Sequence, residues 1–264
     1  MKRQRWRAWI LAAWCAAAAA CGGADRGARP GRQVRVAAAS DLSVALGELT
    51  ARLTAVRGIE AAVSYGSSGV LFSQLSNGAP FDVFLSADED YPRRLVERGL
   101  TAGGPFAYGV GRLVIWTSDP SKVDVQRRGL RSLADAAVRH VAIANPQHAP
   151  YGRAAVAALR AAGVYDAVEP RLVYGENVAQ ALQFVQSGSA DAGLVALALA
   201  LAPGARDQGT WVEVPAPDYP PLRQAGVIMN SAADAGAAEA FRDFLLGADG
   251  RAILERHGFA APER

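Results

Sequence analysis

Short apolar runs alternate with stretches of helical spacing along most of the chain. The run 34–38 reads as a strand, and Leu42, Ala45, Leu46, Leu49 and Leu53 then fall on one helical face. A second strand is expected over 61–65, followed by a helix through Leu71 and Leu75 to Asn77-Gly78. A third is expected over 81–85, with a helix from Tyr91 to Arg98 closed by Gly99. This βαβαβα order implies an α/β unit with a parallel sheet covered on both faces. The pattern restarts after Gly111. Strands are expected at 113–116, 141–144, 171–174, 193–195, 211–214 and 226–229. Helices are expected over 153–162, through Val178, Leu182 and Val185, and through Phe241, Phe244 and Leu245. No repeat of fixed period interrupts the body. Two α/β units joined by two chain crossings suit a hinged pair of lobes.

The N-terminus is of another kind. Lys2, Arg3, Arg5 and Arg7 precede an uncharged, mostly apolar run from Ala8 to Ala20. That run is short of the roughly 20 residues a membrane-spanning helix needs, and it has the layout of an export signal. The leader has two possible ends. Ala18-Ala19-Ala20 suits simple cleavage, whereas the same residues before Cys21 form a loose lipobox lacking its usual leucine. The small Gly22-Gly23-Ala24-Asp25 that follows supplies a flexible stalk, which favours acylation of Cys21 and a membrane-anchored periplasmic lipoprotein. Cys15 and Cys21 are the only cysteines, so a chain beginning at Cys21 forms no internal disulfide, thiolate metal site or cysteine nucleophile.

Removing the leader changes the charge. The chain has 28 basic and 25 acidic residues, and four basic ones precede Cys21, leaving 24 against 25. From Val34 onward the count is 21 against 24, a net charge of −3. A mildly acidic body without a Lys/Arg run argues against nucleic acid as a partner. Any anion site must then rest on local donors.

Those donors are expected where strands give way to helices. Ser40 follows the first strand and is placed as an N-cap. Ser67-Ser68-Gly69 follows the second strand and opens the next helix. In the second unit, 145–153 and Gly175-Glu176-Asn177-Val178 do the same. Such openings leave backbone N–H groups unpaired, and the helix dipole adds to their pull on an anion. Open α/β sheets bind ligands at these carboxyl ends of strands. Each serine also has a purely structural reading as a cap. Trp116, Phe81, Phe84 and Phe241 read as core, and Arg93, Arg94 and Arg153 as solvated surface.

Seven segments carry a resemblance: AAASDL (37–42), SYGSSGVL (64–71), FDVFLSAD (81–88), GRLVIW (111–116), ANPQHAPYGRAA (144–155), GENVAQALQFV (175–185) and GLVAL (193–197). Together and in this order they resemble the molybdate-binding family of class II periplasmic binding proteins, over nearly the whole mature chain. The resemblance implies two lobes, each a mainly parallel sheet flanked by helices, hinged on two crossover strands. The division is then leader 1–21, linker 22–33, first lobe 34–111 with 222–264, and second lobe 112–221. It also implies oxyanion donors at Ser40, Ser68, Tyr151 and Val178, with Asp41, Ser67 and Asn177 as neighbours. The ligand is molybdate or tungstate, with molybdenum or tungsten present only inside the oxyanion. No cofactor and no catalysis are implied. The implied partner is an inner-membrane ABC permease with its ATPase, served by a monomer.

Two positions depart from the pattern. Some members carry a donor tyrosine where this chain has Ala196, and Tyr151 stands where they have alanine, so the Tyr151 hydroxyl is expected to substitute. Asp41 would repel a dianion unless its side chain caps the helix and points away. A sulfate or phosphate binder is the alternative within the same fold, and a serine hydrolase the alternative outside it. For the hydrolase, 66–70 lacks G-x-S-x-G spacing, and of His140, His148 and His257 only His148 falls on a site turn, where it is expected to shape the approach to Pro150. No H-E-x-x-H motif is present, and Gly109-x-Gly111 lacks the third glycine of a dinucleotide loop.

Overall fold

The computed structural model describes residues 32–262. The expected leader, Cys21 and all but the last two residues of the expected linker lie outside them. Ten strands are described: β1 Arg32–Ala39, β2 Ile59–Gly66, β3 Val83–Ser86, β4 Phe106–Gly111, β5 Leu113–Thr117, β6 Val141–Ala144, β7 Leu172–Gly175, β8 Ala192–Ala196, β9 Thr210–Glu213 and β10 Leu222–Ile228. They form two sheets, ordered β2-β1-β3-β10-β4 and β7-β6-β8-β5-β9.

The sheets repeat one plan. β1 lies parallel between β2 and β3, and β6 parallel between β7 and β8. β10 runs antiparallel to β3 and β4, and β5 antiparallel to β8 and β9. Each sheet is therefore parallel where βαβ units built it and antiparallel where the chain passes from one lobe to the other. Crossover connections through helices force the parallel pairs. The passages are short: β4 leads to β5 through Arg112, and β9 leads to β10 within the stretch 214–221.

β3 (VFLS) and β5 (LVIWT) are buried at every position, as strands covered on both faces must be. β2, at the sheet edge, is buried only at Ile59 and otherwise mixes partly buried and exposed positions. The helix Ser43–Arg57 presents Ala45, Leu46, Leu49 and Leu53 to the first core and ends on Gly58 in the left-handed conformation, the usual glycine stop. Trp116, Phe84 and Phe241 are fully buried, while Phe81 is only partly so.

Several expected boundaries move. β1 starts at Arg32, paired with Ile59, and takes two residues from the expected linker. β4 and the helix Ala248–Arg256 were not expected. β4 has three glycine-or-alanine positions in six, too little apolar bulk to stand out. β10 begins at Leu222, ahead of the expected 226. The helix expected from Arg153 begins at Pro150, whose fixed φ and absent N–H suit a first helical position.

Candidate functional site

The sheet register sets the site. Ala39 at the end of β1 pairs with Gly66 at the end of β2, and Ala144 of β6 with Gly175 of β7. The two strand ends of each lobe are thus level, and each leads into a helical segment, directly after β1, within one or two residues after β2 and β7, and across the turn 145–149 after β6. The four openings meet at one narrow cleft of about 10 Å³, lined by Ser40, Asp41, Ser67, Ser68, Tyr151 and Val178 among others. Asn177 is not in the lining; it serves from behind as a cap.

Each opening exposes its donors for a local reason. Ser68 is the first residue of the helix Ser68–Ser76, and its hydroxyl accepts from the Ala87 N–H at 3.0 Å. That leaves the Ser68 O–H as a donor. Pro150 lacks an N–H, so Tyr151 carries the first one of the helix Pro150–Ala161. The turn before it is set by Asn145, whose Oδ1 accepts from Gln147 N–H at 3.0 Å. Asn177 accepts from the N–H groups of Ala179 (3.0 Å) and Gln180 (3.1 Å), leaving that of Val178 outside the cap. Ser40 departs from expectation. It begins a 3-10 turn over Ser40–Leu42 whose N-cap is Ala39, and no side chain caps it.

Asp41 is completely buried, and it does not turn back to cap its helix. Its Oδ2 accepts from the Gln224 amide at 2.5 Å, tying the end of β1 to the crossover strand β10. Burial lifts its pKa to about 6, while Gln224, Tyr151 and the N–H groups of Asp41 and Leu42 pull the other way. All the groups holding it down are neutral. Asp41 Oδ1, Gln224 Oε1 and the Tyr151 hydroxyl are buried without a hydrogen-bond partner. The Tyr151 hydroxyl approaches Asp41 closely enough to influence its ionisation, without the geometry of a full hydrogen bond. Both phenols of the cluster, Tyr151 and Tyr108, are pushed well above their usual pKa, first by burial and then by the Asp41 charge, so both keep their protons. A side chain at Gly111 would collide with the Tyr151 hydroxyl and the Gln224 amide. The Tyr151 hydroxyl thus lies against Gly111 of β4, and Ala196 is not in the cleft lining.

Among the described residues, no lysine or arginine lines the cleft. Arg153, read from sequence as surface, is exposed and also reaches across to Asp88 at 2.6 Å beside the cleft. His148 does more than shape the Pro150 turn, because its Nδ1 lies 2.8 Å from the Ser67 hydroxyl. Neither role had a sequence signal, since both depend on how the lobes meet. A second hollow of about 710 Å³ lies on the other lobe between Arg127, Arg131 and Asp218. Despite its size none of the four openings reaches it. The described residues contain no cluster of three or more His, Cys, Asp or Glu able to hold a metal ion.

Two five-stranded lobes with a cleft at their strand ends define a solute-binding architecture, and the family comparison agrees. Residues 34–260 match the bacterial extracellular solute-binding protein family, and the chain belongs to that family. Among curated relatives it is 38% identical to the molybdate-binding protein ModA of Azotobacter vinelandii over 228 residues, covering 86% of this chain and 89% of that one. It is 36% identical to ModA of Rhodobacter capsulatus, at 86% and 88% coverage. The solved periplasmic molybdate-binding protein of Azotobacter vinelandii superimposes with a TM-score of 0.81 at 36% identity, covering 87% of this chain and all of that one. The sulfate-binding protein SubI of Mycobacterium tuberculosis shares the fold at a TM-score of 0.69 and 17% identity.

Proposed function

We propose that this chain is a periplasmic solute-binding protein that captures molybdate between its lobes and delivers it to an ABC importer. Tungstate is carried in the same way, being of similar size and charge. The observation that carries this reading is the meeting of Ser40, Ser68, Tyr151 and Val178 at one buried cleft. The hydroxyls of Ser40 and Ser68 and the first N–H groups of the helices at Tyr151 and Val178 act as the oxyanion donors. A desolvated dianion must recover nearly every hydrogen bond it gave up to water. Bonds to charged groups contribute about 1.5–3 kcal/mol each, so roughly six to eight donors support binding tighter than micromolar. Size disfavours sulfate, whose shorter bonds leave its oxygens short of one lobe.

Delivery requires a closed form that the permease recognises, and the anion favours it by touching both lobes at once. Anchoring through an acylated Cys21 keeps a monomer at the membrane surface. Calorimetric titration with molybdate, tungstate, sulfate and phosphate in parallel tests the assignment. Saturable heat with the first two alone supports it. Equal or tighter binding of sulfate or phosphate overturns it.

The Ser67–His148 contact gives the hydrolase alternative its one structural observation. Among the described residues no carboxylate orients the far nitrogen of His148, and the contact lies between lobes rather than beside an exposed nucleophile. Such a nucleophile normally needs a base held by a third group. Activated esters should show no hydrolysis above background.

A further inference from the structure

Resting on the reading of this cleft as the place where a solute is enclosed, we propose that Gly69, His148, Asp88 and Arg153 form a protein-to-protein latch that holds the lobes shut and sets how long the ligand stays. The Gly69 N–H, in the first turn of the helix Ser68–Ser76, donates to the His148 carbonyl at 2.8 Å. His148 belongs to the second lobe, on the turn between β6 and the helix Pro150–Ala161. The Ser67 hydroxyl meets the ring of the same residue at 2.8 Å. Beside this pair, Arg153 of the second lobe bonds Asp88 of the first at 2.6 Å, and its guanidinium lies 5.6 Å from the Tyr91 ring centre. Asp88 is fixed for the task, because its Oδ1 accepts from the Ser86 hydroxyl (3.0 Å) and from the Tyr91 N–H (3.2 Å).

None of these contacts uses the anion donors. The contacts of Gly69 and Ser67 with His148 and of Asp88 with Arg153 join one lobe to the other, so any parting of the lobes breaks them together. The half-exposed Arg153–Asp88 pair is the weaker part, as ion pairs in contact with water are. The Gly69 contact is the stringent one. A Cβ there would lie 2.5 Å from the Tyr91 hydroxyl, 2.7 Å from the His148 carbonyl oxygen and 2.8 Å from the His148 Cβ. The latter two belong to the opposing lobe, and one is backbone, so they cannot swing aside. Glycine is required at this point for the lobes to approach, not for its conformational freedom. Within a helix, glycine is otherwise a weakness that alanine would correct.

This separates closure from folding. Gly69→Ala should leave the ligand-free melting temperature unchanged or raise it, while wedging the lobes apart. Its molybdate dissociation rate should rise at least about tenfold, the equivalent of 1.4 kcal/mol. Arg153→Gln should raise it by a smaller factor. A spin-label pair, one label per lobe, reads the same event without ligand: the interlobe distance should lengthen in Gly69→Ala relative to the parent. If that distance distribution is unchanged in Gly69→Ala, the latch is refuted whether or not molybdate binds. A parent that gives no heat with molybdate would refute the ligand assignment instead, and the distance measurement would still judge the latch. Parent-like dissociation from a Gly69→Ala protein that binds molybdate also refutes it.

Discussion

Ser68 and Asp41 both line the cleft, and chemistry assigns them opposite parts. The Ser68 hydroxyl, already accepting from Ala87, has its proton to give. Ser68→Ala should weaken molybdate binding by about ten- to a hundredfold, in line with about 1.5–3 kcal/mol for a bond to a charged group. Calorimetry reads this directly, with the melting temperature of the free protein as a control for folding. Asp41 is a buried acid beside an anion site. With its folded pKa near 6 and an unfolded value near 3.8, the folded state holds the proton more tightly. Between those values the unfolded chain binds fewer protons, so stability falls as pH rises, by roughly 3 kcal/mol in all. Asp41→Asn should remove that fall and melt higher than the parent at pH 8, with little difference near pH 4. A bound dianion favours the protonated acid further, so molybdate affinity of the parent should decline above pH 6 and that of Asp41→Asn should not. A flat affinity profile in the parent would show the carboxylate to be insulated from the ligand. From sequence, Asp41 could be flagged as a conflict but not resolved, because its partner Gln224 is 183 residues away.

At the level of strands and helices, much was legible where apolar spacing was strong. The turns after β1, β2, β6 and β7 were found because each falls between a short strand-like run and a helically periodic one. β4 was missed although Phe106, Tyr108 and Val110 alternate along it, because the intervening Ala107, Gly109 and Gly111 leave no continuous apolar run, and pairing with β10 completes the strand. Its last residue, Gly111, also shows why the crossover is packed so closely. Gly111→Ala would force the Tyr151 ring and the Gln224 amide aside, and with them the support of Asp41. It should destabilise the protein by about 1–3 kcal/mol, as overpacking does, and weaken binding as well. A parent-like urea midpoint would contradict that packing. Arg153 is exposed as read, but its ion pair was not foreseen. Nothing in its own helix marks it, and its partner Asp88 stands on the other lobe.

The whole molecule joins these effects. The body from Val34 onward carries an acidic excess, and among the described residues no basic side chain lines the proposed anion cleft to compensate. Attraction therefore comes from helix openings that exist only when the fold brings four strand ends level. Ligand and fold are then coupled: at a hundredfold excess over Kd, molybdate should add about 3 kcal/mol to unfolding stability. Differential scanning calorimetry should show that gain with molybdate and not with equal phosphate. The family, the two lobes and the cleft could be anticipated from ordered segments of sequence, whereas the contacts between lobes could not. The most direct test is a crystal structure of the molybdate complex with the molybdenum located by anomalous scattering. The expected peak lies between the lobes, with oxyanion atoms about 2.7–3.2 Å from the Ser40 and Ser68 hydroxyls and the Tyr151 and Val178 N–H groups. A peak held by arginine side chains, or one outside that cleft, would contradict it.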